Sequence, residues 1–109
     1  MSQDIEIPPQ QVKRKLDAGE ELLLLDCREA EEVAAASIDG ATNIPMGDVP
    51  ARLQELDPET PVIVFCHHGI RSQSVAHFLR QQDFDEVLNM TGGIDAWSRK
   101  IDPDVPRYE

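Results

Sequence analysis

The chain has 109 residues, 40% of them hydrophobic, and a formal charge of −11 from 10 Lys and Arg against 21 Asp and Glu. That length suits one hydrophobic core, so residues 1–109 are expected to form a single domain, and the charge disfavours nucleic acid and anionic membranes, whose phosphates such a field repels. No apolar stretch approaches the roughly 20 residues of a spanning helix, and "MSQDIEIPPQ" lacks the basic and apolar segments of a signal peptide, which together predict a soluble cytoplasmic protein with no membrane association.

Along the chain, "IEI" (Ile5 to Ile7) reads as a short strand stopped by Pro8 and Pro9. Val12 and Leu16 then share one helical face, with Gly19 as terminator. "LLLL" (Leu22 to Leu25) is too short for a helix and suits a strand buried on both faces. Glu29 to Ala36 is helix-forming, Thr42 to Ile44 before Pro45 a short strand, and Val49 to Leu56 a short helix with Leu53 and Leu56 inward. "VIVF" (Val62 to Phe65) is the strongest strand. Ser72 to Gln82 follows as an amphipathic helix with Val75, Phe78 and Leu79 inward. Val87 to Met90 is a last strand, and Ile94 to Trp97 opens a last helix. Strands and helices alternate, which predicts an α/β fold built on a parallel sheet covered on both faces.

Cysteine usage sets the chemistry. Cys27 and Cys66 are too few for a disulfide framework and belong to no C-x-x-C pair, so free thiols in a reducing compartment are expected. Cys66 stands at the carboxyl end of the strongest strand, where parallel sheets bind ligands. It is followed by His67, His68, Gly69, Ile70, Arg71 and Ser72. Gly69 permits a tight turn, so the amides of residues 67–71 can converge as an anion-binding nest, and Ser72 suits an N-terminal helix position that aims the dipole at the same point. Residues 61–82 contain no Asp or Glu but hold Arg71, Arg80, His67, His68 and His77, a local cationic patch suited to a small anionic substrate. Such surroundings lower a thiol's pKa and raise its reactivity.

Each of these residues also has an inert reading. A strand-end cysteine is commonly a small buried hydrophobe, and it is Gly69, Arg71 and the helix start that turn the reading of Cys66 towards a reactive thiol. Consecutive Cys66, His67 and His68 lack zinc spacing and rarely face one ion, so no metal and no cofactor is expected. His77 reads as a surface position and Trp97 as core. Cys27 reads as structural, although it too ends a strand and could come near Cys66.

"LLLLDCRE", "IDGATNIP", "VIVFCHHGIRS" and "GGIDAW" together resemble the single-domain rhodanese-like sulfurtransferases in order and spacing, and the C-x-x-G-x-R-S loop is the most specific of the four. The resemblance implies a five-stranded parallel sheet flanked by helices, Cys66 as the catalytic residue that becomes a persulfide, and residues 67–71 lining the substrate pocket with their amides. Ser37 and Asp39 stand where family members often carry histidine and proline, and Cys27 where valine is commoner. The ending "IDPDVPRY" resembles rhodanese domains fused to enzymes that activate sulfur carriers.

The expected function is transfer of a sulfane sulfur from thiosulfate or a related small anionic donor, through Cys66, to cyanide, a thiol or a sulfur-carrier protein. His67, His68 and Arg71 would orient the donor. One alternative is a phosphatase or arsenate reductase of the related fold, which uses five residues between cysteine and arginine where this chain has only His67 to Ile70. The other is a non-catalytic binding module, a class that often lacks the cysteine.

Overall fold

The computed structural model describes residues 4–108, so Met1 to Gln3 of the N-terminal segment and Glu109 lie outside the described residues. Five strands, β1 (Glu6–Ile7), β2 (Leu23–Asp26), β3 (Thr42–Asn43), β4 (Val62–Phe65) and β5 (Val87–Met90), form one sheet in the order β1-β5-β4-β2-β3. Every pairing in it is parallel. Four α-helices, α1 (Pro9–Asp17), α2 (Ala30–Ala35), α3 (Ile70–Gln81) and α4 (Gly93–Lys100), alternate with the strands.

The period-two alternation of a strand sends successive side chains to opposite faces, and two cores result. Leu25, Val62, Val64, Cys27 and Cys66 face one side, where Val75, Ala76 and Leu79 of α3 cover them with Val49 and Leu56. Leu24, Ile63, Phe65 and Met90 face the other, under Val12 of α1 and Ile94 and Trp97 of α4. Trp97 is therefore core, as its composition predicts, and His77 lies exposed on α3.

Two expectations need correction. The span Val49 to Leu56 is not an α-helix: it forms 3₁₀ turns over Met46–Asp48 and Pro50–Glu55, with Arg52 off helical geometry (φ −112°, ψ 17°). A proline supplies no amide to an α-helical ladder, and tighter turns accommodate it. The helix expected from Ser72 begins two residues earlier, at Ile70, because Gly69 takes φ 101° and turns the chain into helical geometry before the serine is reached.

The topology decides where chemistry can occur. From β2 the chain crosses through α2 to β3, and from β4 it crosses the other way through α3 to β5. The strand order therefore switches between β2 and β4, which opens a crevice at their carboxyl ends. Residues 26–28 and 66–72 meet there.

Candidate active site

Cys66 leaves β4 with its sulfur turned toward the first turn of α3. The sulfur accepts the amide of Gly69 at 3.1 Å and that of Ser72 at 3.3 Å. Both donors are free for this because the first amides of a helix have no partner within it. Only 1% of the Cys66 surface is exposed, so what reaches the sulfur must be small.

Ser72, fully buried, places its hydroxyl 3.3 Å from the sulfur and 2.5 Å from Oδ1 of Asn89. One hydroxyl carries one proton. Directed at Asn89, it leaves the serine oxygen to accept the Cys66 S–H; turned to the sulfur, it supports the thiolate. Asn89 fixes the same turn from below by donating to the carbonyl of Gly69 at 3.0 Å and to the Glu6 carboxylate at 2.9 Å. Glu6 in turn accepts from Thr91 and Gln73, which ties β1 to the mouth of the loop.

The last strand pair in register is Asp26 with Phe65, and the amide of Cys27 donates to the Phe65 carbonyl at 3.1 Å, so the ladder continues into the two cysteines. Both are buried free thiols in the same core cluster. The Cys66 pKa is lowered to about 4, first by the neighbouring Cys27 thiol, against the opposing effect of burial and with further help from Ser72 and the Gly69 amide. The same contact and burial push the Cys27 thiol far up. Both directions favour Cys66 as the more acidic thiol of the two. The sequence alone leads one to expect the amides and Arg71 to do this work, with Cys27 a structural residue that could come near Cys66.

Arg71 lies at the rim, and its guanidinium meets the Glu32 carboxylate of α2 through two bonds of 2.6 and 2.8 Å. The pairing holds Glu32 at about 2, well below the ordinary carboxylate range. The acid-free window of residues 61–82 is therefore not acid-free in space, since Glu32 reaches in from α2 and Asp95, held low first by Arg99, from α4. Arg71, expected to help orient the donor, is paired with Glu32 and so fastens α3 to α2.

Behind it stands Arg28, 0% exposed, with all five guanidinium donors used. Nε and Nη2 bond the Asp26 carboxylate at 2.9 and 2.7 Å, Nη2 also reaches the Ala36 carbonyl, and Nη1 reaches the Glu32 carbonyl and the Tyr108 hydroxyl. Tyr108 passes the connection on by donating to Glu32 at 2.8 Å. Its ring stacks on His67 at 4.0 Å, and His67 stacks on His68 at 3.9 Å. His68 and Ile70 are exposed, Ile70 to 80%. His67, His68 and Asp95 bring one ligand atom each within 4.8 Å of one another. Asp95 is already engaged by Arg99 at 2.9 Å, which competes with any ion for its carboxylate.

The "GGIDAW" segment holds the loop's other side. The amides of Ile94 and Asp95 donate to the carbonyls of Cys66 and His67 at 2.8 and 3.1 Å. Gly93 takes φ 62°, and a Cβ there would run into those two carbonyl oxygens. Only glycine allows so close an approach.

The rhodanese-like domain family matches residues 8–100. The chain belongs to the rhodanese-like family. It is 41% identical over 98 residues to YtwF of Bacillus subtilis, a candidate sulfurtransferase, covering 90% of this chain and 94% of that protein. It is 36% identical to a sulfurtransferase of Allochromatium vinosum, covering 86% and 88% of the two chains. A crystal structure of a rhodanese-like domain protein from Staphylococcus aureus superposes with a TM-score of 0.82 at 27% identity, over 95% of this chain and 98% of that one. The five-stranded parallel sheet with flanking helices expected from the resemblance is the fold observed.

Gly69 and Ser72 meet at the Cys66 sulfur, while His67, His68, Ile70 and Arg71 occupy the rest of the same loop, with His68 and Ile70 exposed. Sequence reasoning misses Glu32, Asn89, Tyr108 and the part played by Gly93. A Gly-Gly pair directly after a strand is a signal for close backbone approach that could point to Gly93. For the other three, local sequence carries no signal, since each is brought in from a distant element.

Proposed function

We propose that the chain is a rhodanese-type sulfurtransferase that carries sulfane sulfur as a Cys66 persulfide. The observation that supports this reading most is the Cys66 sulfur itself, held by two main-chain amides at the start of α3 beside a second thiol, an arrangement that favours an anionic sulfur. Membership of a family with relatives described as sulfurtransferases supports it further.

In the first step the Cys66 thiolate attacks the outer sulfur of thiosulfate or a similar small donor. A bond forms between the two sulfurs, the donor's sulfur–sulfur bond breaks, and sulfite departs with the electron pair as a stable anion, so no general acid is required. The persulfide is left anionic, with Gly69 and Ser72 as its donors and His67, His68, Ile70 and Arg71 as the rim that admits the donor. In the second step a thiophilic acceptor, whether cyanide, a thiol or a sulfur-carrier protein, takes the terminal sulfur and returns Cys66 as thiolate. Four residues between Cys66 and Arg71 give a small ring of amides, sized for sulfur rather than for a tetrahedral oxyanion. Free thiols suit a reducing compartment, and the reading places the protein in the cytoplasm. No helix among the described residues is long and apolar enough to cross a membrane.

Intact mass spectrometry after incubation with thiosulfate tests the reading. The expected result is a gain of one sulfur, removed by dithiothreitol or cyanide and absent in Cys66→Ser. Thiocyanate formation that persists in Cys66→Ser, or hydrolysis of an aryl phosphate at a comparable rate in the wild type, overturns it.

A further inference from the structure

The transfer chemistry above uses Cys27 only as a neighbour, yet it is a buried thiol beside the reactive one, on the adjacent parallel strand and the same face of the sheet. We propose that Cys27 and Cys66 form a reversible oxidation site, in which a hydroperoxide oxidises the Cys66 sulfur and Cys27 closes on it as an intramolecular disulfide.

The geometry carries this. Adjacent strands run about 4.8 Å apart, and a disulfide requires Cα atoms about 4.4 to 6.8 Å apart with side chains directed toward each other. The Cys27 amide is bonded to the Phe65 carbonyl at 3.1 Å, so the two chains are still in sheet register where the cysteines stand. Both side chains enter the core under α3, and neither is separated from the other by an intervening residue of the sheet.

The chemistry balances with a hydroperoxide as the only oxidant. The Cys66 thiolate attacks the peroxide oxygen, the O–O bond breaks, and the leaving oxygen takes a proton from solvent and departs as water from hydrogen peroxide or as an alcohol from an organic hydroperoxide, giving a sulfenic acid. The Cys27 sulfur then attacks the Cys66 sulfur, the S–O bond breaks, the Cys27 proton goes to the departing hydroxide, and water leaves. Two thiols have lost two electrons to one peroxide. A dithiol reductant reverses the change by exchange through a mixed disulfide. While the bond stands, the Cys66 sulfur cannot accept a donor's sulfur, and it is kept from the irreversible sulfinic acid that a lone reactive cysteine reaches. This proposal needs a reactive Cys66 and its neighbour, and it does not depend on the sulfur donor.

Reduced full-length protein treated with one equivalent of hydrogen peroxide, alkylated and digested with trypsin without reductant provides the test. The expected product joins peptides 16–28 and 53–71, which hold Cys27 and Cys66, within a single chain that runs as a monomer on a non-reducing gel. Dithiothreitol should restore both thiols. In Cys27→Ala the cross-link is lost, and Cys66 should pass to sulfinic acid several-fold faster than in the wild type. Wild-type Cys66 accumulating as sulfinic acid, or as an intermolecular disulfide while Cys27 remains alkylatable, overturns the proposal. Thiol state is read directly, so this failure leaves the sulfurtransferase reading standing, and an inactive thiosulfate reaction leaves this one standing.

Discussion

At the scale of single residues, two thiols of the same type are given opposite characters by their surroundings. Cys66 lies at the start of a helix with amides aimed at its sulfur and a second thiol beside it, and Cys27 sees its neighbour's sulfur and a closed core. Removing the Cys27 thiol deletes the largest lowering influence on Cys66, so its pKa rises. Alkylation with iodoacetamide followed against pH should show a midpoint near 4 in the wild type, so the rate stays flat through the neutral range. The Cys27→Ala profile should be displaced upward. Superimposable profiles would show that the amides and Ser72 set the thiolate alone. Cys66, Gly69 and Ser72 are legible in the sequence because they lie within one short loop, where spacing and residue type speak directly. Cys27 is legible only as a strand-end residue that could come near Cys66, because its influence depends on strand register, which puts it 39 positions away in sequence and adjacent in space.

At the scale of elements, the loop is clamped from two sides. On one side α2 reaches α3 through Glu32 and Arg71, with Tyr108 and Arg28 behind them. Folding lowers the Glu32 pKa, so its share of stability is present above the ordinary value of 4.5 and is lost as pH falls toward about 2. Urea unfolding at successive pH values should therefore show a shallower acid loss in Glu32→Gln than in the wild type, from a lower starting stability. On the other side α4 is pressed against the loop at Gly93. Gly93→Ala adds a Cβ against two carbonyl oxygens and forces φ 62° on a residue that resists it, which should cost about 1–3 kcal/mol by thermal or urea unfolding and lower sulfur transfer with it. β4 and β5 carry the bounds read from sequence, because short apolar runs bracketed by turn residues admit one interpretation. The 3₁₀ turns over Pro50–Glu55 do not, since Leu53 and Leu56 suit an α-helix and a tighter turn equally well.

At the scale of the whole molecule, charge and topology act together. Sequence alternation makes the parallel sheet legible, but not the strand order, and it is the order β1-β5-β4-β2-β3 that places the switch point, and with it the crevice, between the two cysteines. The net charge of −11 opposes an anionic donor at long range, and with Arg71 neutralised by Glu32 the attraction that remains is the short-range one of the amides. Raising ionic strength at fixed pH should accordingly lower KM for thiosulfate while leaving kcat nearly unchanged, a trend that steady-state thiocyanate assays can check and that a donor without charge should not show. Finally, the outer strands are minimal. β1 and β3 are two residues each, with Pro8 and Pro9 directly after the one and Pro45 just past the other. Such borders offer too few free main-chain groups to be extended by a foreign strand. Strand addition, a common way for a macromolecule to dock onto a sheet, therefore finds little main chain at either border, whereas His68 and Ile70 beside the reactive loop stand out into solvent as side chains.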